Sequence, residues 1–84
     1  MKHESHPAIV SRLKRAEGHL RSTISMIEEG RTCLDLAQQL HAIEKAIGNA
    51  KRELIHDHIE HCLEDEGPPS RASLTELKQL TKYL

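Results

Sequence analysis

The sequence predicts an all-α protein of three helices. Apolar residues recur at spacings of three and four along most of the chain. Nowhere do apolar and polar residues alternate as in a half-buried strand. The breaks fall at Gly30 and at "EDEGPPS", residues 64–70, which divides the pattern into three.

The first helix opens near Pro7, a residue suited to the first helical position because its missing N–H is not needed there. Its apolar positions are Ile9, Leu13, Ala16, Leu20, Ile24 and Ile27, and Gly30 supplies the stop. Gly18 is expected to permit close approach of a neighbouring helix. Residues 1–6 read as a flexible tail of the single domain, 1–84.

Thr32 is the expected N-cap of the second helix, with Asp35 placed to favour the positive helix end. The stripe Leu36, Leu40, Ile43, Ile47, Ala50 and Leu54 follows. Nothing stops it before Gly67, so the helix runs about 30 residues, far beyond the usual length. A long helix with a heptad-like seam needs a partner helix. Residues 65–72 read as a linker, after which Ser73 and Glu76 form a capping-box pattern. That pattern opens a short helix through Leu74, Leu77, Leu80 and Tyr83 or Leu84.

An 84-residue chain buries too little apolar surface to be comfortable alone, which points to an oligomer. With Tyr83 the one aromatic, the stacking platform of a single-strand-binding module is missing. No apolar run has the length of a membrane span or a signal peptide, so a cytoplasmic protein without a membrane partner is expected. Two cysteines in that setting read as thiols available for metal or redox chemistry. Charge is uneven: residues 1–52 hold nine Lys/Arg against six Asp/Glu, and residues 53–84 hold three against seven. Arg12, Lys14, Arg15 and Arg21 surround a single acid, Glu17. Such a patch is either a phosphate-binding surface or a solvated helix face.

The chemistry concentrates in "HDHIEHC", residues 56–62. Steps of four from Leu54 land on His58 and then Cys62, and a step of three back from Leu36 lands on Cys33. The three lie on or near one helix face. Cys33 precedes His58 by 25 residues, about 38 Å along a straight helix, so one chain cannot bring them together. Antiparallel pairing of two second helices does, crossing near Ala46, Ile47 and Ala50 and placing each Cys33 opposite the partner's His58 and Cys62. The expected assembly is therefore an antiparallel four-helix-bundle dimer with two equivalent sites. Taken singly, a seam cysteine or histidine is more often a buried core residue, and it is the shared register that favours ligands. His56 and His61 fall off the stripe, Asp57 reads as surface charge, and His19 and His41 read as structural or DNA-facing.

These residues also carry a resemblance. "RAEGHLR", a cysteine 15 residues after its glycine, a histidine 25 further on and a cysteine four after that resemble the CsoR/RcnR family of bacterial metal- and formaldehyde-sensing repressors. The similarity spans residues 7–64, and "LKRAEGHLR", "CLDLAQQL" and "LIHDH" look like its nickel- or cobalt-responsive branch. The resemblance implies an all-helical homodimer, usually paired into a homotetramer, that binds double-stranded operator DNA through basic helical surfaces. It implies Cys33, His58 and Cys62 as sensing ligands, with His3 or His6 supplying an additional N-terminal donor. Arg12 and Arg15 fall where members carry DNA-contacting residues, and Lys14, Arg21, Lys45, Lys51 and Arg52 are further candidates. Glu44 departs from the pattern, standing where some relatives place an arginine used for DNA. Lys2 stands where formaldehyde-sensing members carry a proline, which disfavours that chemistry.

Two thiolates and an imidazole suit Cu(I), whereas an added tail histidine suits square-planar Ni(II) or tetrahedral Zn(II). The tail histidines favour Ni(II), with Cu(I) and Co(II) next. The expected function is a metal-responsive repressor that holds its operator when metal-free and releases it on binding metal, derepressing efflux or resistance genes. A metal storage or delivery protein without DNA binding is the rival class, and an inert helical adaptor a second. An enzyme is not expected, because no nucleophile–base pair, paired carboxylates or phosphate loop can be placed in a cleft.

Overall fold

In the computed structural model, residues 5–64 and 70–84 are described, the last three of the first range by their backbone alone. The chain is all-α, as its periodicity requires. Helix α1 spans His6–Glu28, α2 spans Cys33–Glu64 and α3 spans Arg71–Leu80, followed by a 3-10 turn at Thr81–Tyr83.

The local signals act where the sequence places them. Pro7 lies in the first turn of α1. At its other end Gly30 takes φ 80°, the left-handed conformation that a side chain resists. Its N–H donates to Ile27 O at 3.1 Å and that of Arg31 to Met26 O at 3.1 Å, the paired bonds of a Schellman stop. Thr32 Oγ1 then accepts from Asp35 N at 3.2 Å and caps α2. The third helix departs from expectation. Ser70, not Ser73, is the N-cap, its Oγ accepting from Ser73 N at 3.1 Å. The helix therefore starts at Arg71, inside the segment 65–72 that reads as a linker. Ser70 wins because its backbone is extended, the conformation a cap needs, while Ser73 is already helical.

The short link turns α2 back along α1, and the two pack as an antiparallel hairpin. Its inner seam combines two isoleucines with small and polar residues. Ile9, Ala16 and Thr23 of α1 and Ile43 and Ala50 of α2 are buried, flanked by half-buried His19, Gln39 and Ala46. Thr23 is fully buried, and its hydroxyl is satisfied by donating to His19 O at 2.9 Å. His19 Nε2 meets Gln39 Oε1 across the hairpin at 2.6 Å, which makes this histidine structural. Helix α3 lies against the C-terminal part of α2, where Ile55 is buried.

The larger side chains of the predicted seam are divided between two faces. Leu13, Leu20, Ile24 and Ile27 of α1 are 41–52% exposed, and Leu40, Ile47 and Leu54 of α2 are 42–47% exposed. One heptad position of α2 packs inward and the other faces away from α1. Gly18 also differs from expectation: a Cβ there would meet nothing within 4 Å, so no helix of the same chain approaches it. The chain measures 57 × 24 × 14 Å, and its thin dimension is little more than one helix diameter of about 10–12 Å. It exposes 6823 Å², against about 5,000 Å² for a compact monomer of this mass. The difference is of the order of a stable protein–protein interface.

Ile43 is 4% exposed at the middle of the hairpin, so Ile43→Ala should cost about 2–4 kcal/mol of stability, read from the urea midpoint. Gly30→Ala should cost about 1 kcal/mol, since alanine must adopt the positive φ.

Candidate metal site and basic surface

Helix α2 runs without a break from Cys33 to Glu64. On such a helix His58 and Cys62 each fall within about 20° of the azimuth of Cys33, at 100° per residue. One face of one rod therefore carries all three candidate ligands, Cys33 at its start and the other two in its last turns. Cys33 is exposed at the first residue of α2 and forms no disulfide. His58 is half-buried, its Nε2 lying 3.6 Å from Glu76 Oε1 of α3. For Cys62 the helical backbone alone is described.

Among the described residues no group of three His, Cys, Asp or Glu side chains within the chain could hold a metal ion. That agrees with the length of α2: its two ends cannot converge. The donor set itself fits a soft or borderline ion, two sulfurs and one imidazole nitrogen being available once two copies pair. Of the tail candidates, His6 is the first residue of α1 and half-buried, and His3 lies outside the described residues. His56 is exposed, whereas His61 and Asp57 are half-buried, so Asp57 is not the plain surface charge its composition suggests. Glu76 was not legible as a neighbour of His58, because it depends on how α3 folds back onto α2.

All seven candidate DNA-contacting residues are exposed. Arg12 and Arg15 line a groove between α1 and α2 together with His19, Ala46 and Asn49. Lys45, Lys51 and Arg52 line a second groove on α2 that also contains Glu44. Arg52 Nη2 donates to Asn49 Oδ1 at 2.5 Å. Arg21 has only a loose ion pair with Glu17, 3.9 Å away on its own helix. Arg12 is held differently: its Nη1 donates to Glu53 Oε2 of α2 at 2.5 Å. No sequence signal exposes that pair, since its members are 41 residues apart. No described helix is long and apolar enough to cross a membrane.

A hairpin of this form has counterparts among known proteins. The chain matches the metal-sensitive transcriptional repressors over residues 5–83 and belongs to that family, the CsoR/RcnR family. It is 40% identical over 57 residues to the copper-sensing transcriptional repressor CsoR of Bacillus subtilis, covering 68% of this chain and 56% of that protein. To the copper-sensing transcriptional repressor RicR of Mycobacterium tuberculosis it is 33% identical over 69 residues, 77% of this chain and 72% of RicR. The chain spans about half the length of the CsoR relatives it matches, 56% of the Bacillus subtilis protein and 47% of that from Mycobacterium ulcerans. The nickel-responsive transcriptional regulator InrS superposes with a TM-score of 0.83 at 32% identity, over 100% of this chain and 98% of the InrS chain.

Because Cys33 is exposed and makes no packing contribution to the hairpin core, Cys33→Ala should leave helicity and thermal midpoint nearly unchanged. The same substitution should remove stoichiometric metal binding. Circular dichroism and equilibrium dialysis of one preparation test both expectations.

Proposed function

We propose that this protein is a metal-responsive transcriptional repressor that binds operator DNA when metal-free and releases it on binding metal between subunits. The observation that carries the reading is the placement of Cys33, His58 and Cys62 on one face of an unbroken α2, at opposite ends of the same rod. Such a site is complete only in an antiparallel dimer. The exposed stripe Leu40, Ile47 and Leu54 supplies the apolar surface for that pairing, with Ile47 midway between the two ligand-bearing ends. Family membership supports repression and DNA binding as the output.

A bound ion supplies a set of directional bonds that only one arrangement of the two chains satisfies. Cys33 of one protomer and His58 and Cys62 of the other contribute the donors, and His3 or His6 completes the set. Glu76 beside His58 orients the imidazole and links the site to α3. Arg12, Lys14, Arg15 and Arg21 on α1, with Lys45, Lys51 and Arg52 on α2, meet the phosphates. Their spacing across the two protomers depends on how the helices of the bundle splay, which ties DNA affinity to the state of the site. Coupling of this kind is typically worth about 1–3 kcal/mol.

Ni(II) is the favoured ion, because the tail histidines add nitrogen donors and the likeness to InrS extends over the whole chain. Cu(I) is the second reading, supported by the two cysteines and by the copper-sensing relatives. A homodimer, or a dimer of dimers, acting in the cytoplasm completes the proposal.

Anaerobic titration of the reduced protein with Ni(II) and then Cu(I), followed by anisotropy of a duplex from upstream of its own gene, should show release at one metal per chain. Cys33→Ala should abolish that response. Tight metal binding without DNA affinity at low salt would instead mean storage or delivery. Protons compete for imidazole and thiolate, so metal affinity should fall as pH is lowered from about 8 to 5. Ile47→Glu should yield monomers in sedimentation and lose metal binding although every ligand remains.

A further inference from the structure

Arg12 and Arg21 are the two DNA-facing cations that have a carboxylate neighbour among the described residues, and the neighbours differ in kind. Glu17 and Arg21 are both more than 70% exposed and 3.9 Å apart, so water and salt separate them readily. Glu53 is 32% exposed and contributed by another helix, and its Oε2 accepts a hydrogen bond from Arg12 Nη1 at 2.5 Å. Arg52, the neighbouring cation, turns to Asn49 instead. The Glu53 carboxylate is thus hydrogen-bonded to Arg12, in a groove lined also by Asn49, Arg52 and His56 and by two further acids, Asp57 and Glu60.

A carboxylate and a phosphate ask the same thing of a guanidinium: N–H donors converging on anionic oxygens. Glu53 already takes one of those donors, Nη1, at Arg12. A phosphate approaching Arg12 meets a donor engaged elsewhere and, beside it, a negative charge. Two contributions oppose each other. Glu53 orders the Arg12 side chain, which favours docking, and it repels and competes with phosphate, which disfavours it. The pair is half-exposed, so the ordering contribution is small. Like charges brought together at a polyanion are costly by comparison. Competition therefore wins.

We infer that Glu53 is a built-in competitor for operator phosphate at Arg12, lowering DNA affinity and its salt dependence in the metal-free protein. This rests on the assignment of Arg12 to the DNA surface. The device keeps the repressor releasable, since an operator held too tightly cannot be freed by a modest coupling energy.

The test is binding of the full-length, reduced, metal-free protein to a duplex from upstream of its own gene, measured across salt for wild type, Glu53→Gln, Arg12→Ala and the double variant. Glutamine keeps the size and an accepting oxygen but drops the charge. Glu53→Gln should bind about threefold or more tighter at ~0.1 M salt, and its log–log salt slope should steepen by about 0.9 per docked protomer. With alanine at position 12 the same substitution should keep only the smaller gain from relieved repulsion and leave the salt slope nearly unchanged. Unchanged or weaker binding of Glu53→Gln, while Arg12→Ala is impaired, would overturn the competitor role and leave the DNA surface standing. An equal gain in both backgrounds would also overturn it, by showing general charge repulsion instead. Wild-type affinity in Arg12→Ala, or no DNA binding by any variant, would sink the underlying assignment.

Discussion

The continuity of α2 is the constraint on which the rest of the structure depends. A hydrogen-bonded helix from Cys33 to Glu64 is a rod that holds its two ends apart. Bending it enough to join Cys33 to His58 would sacrifice a run of backbone hydrogen bonds with nothing to replace them. Sharing a site between two chains leaves every one of those bonds intact. On the proposed reading the cost is that neither chain is chemically complete, so that metal chemistry and assembly become one equilibrium.

The hairpin is built to accept that cost. Its inner seam sets Ile9 and Ile43 among alanines, Thr23 and a histidine–glutamine contact, so the helices close with modest apolar volume. Leu13, Leu20, Ile24 and Ile27 of α1 and Leu40, Ile47 and Leu54 of α2 are left exposed, where a single layer of helices cannot cover them. Exposed apolar surface of this extent marks an interaction site. The polar inner contacts specify how α1 and α2 register, and the apolar outer ones are left uncovered by the helices of the same chain.

The basic surface shows a similar economy. Arginines on α1 and basic residues on α2 border grooves along the hairpin, yet Glu44 and Glu53 stand in those grooves and Glu17 beside Arg21. A surface of cations alone would bind any polyanion tightly at low salt. Interspersed carboxylates lower that background, so on the proposed reading sequence-dependent DNA shape weighs more in the choice of site. Arg12 stands where the two demands meet, held by the fold and facing solvent at once.

Much of this molecule was determined by the sequence alone. Gly30, Thr32 and the uninterrupted stripe from Leu36 to Leu54 act through local backbone geometry, so the helix ends and the great length of α2 could be read from spacing. The common face of Cys33, His58 and Cys62 follows from the same helical arithmetic. Capping at Ser70 was less legible, because two serines three apart offer the same local chemistry and the backbone path into the helix chooses between them. Only the tertiary structure decided which apolar residues turn inward, leaving Leu40, Ile47 and Leu54 outside while Ile43 and Ala50 are buried. It alone brought Glu53 to Arg12, Gln39 to His19 and Glu76 to His58. Periodicity sets the azimuth of a side chain on its own helix, whereas the contact it makes depends on the rotation and offset of the neighbouring helix, quantities that no local pattern encodes.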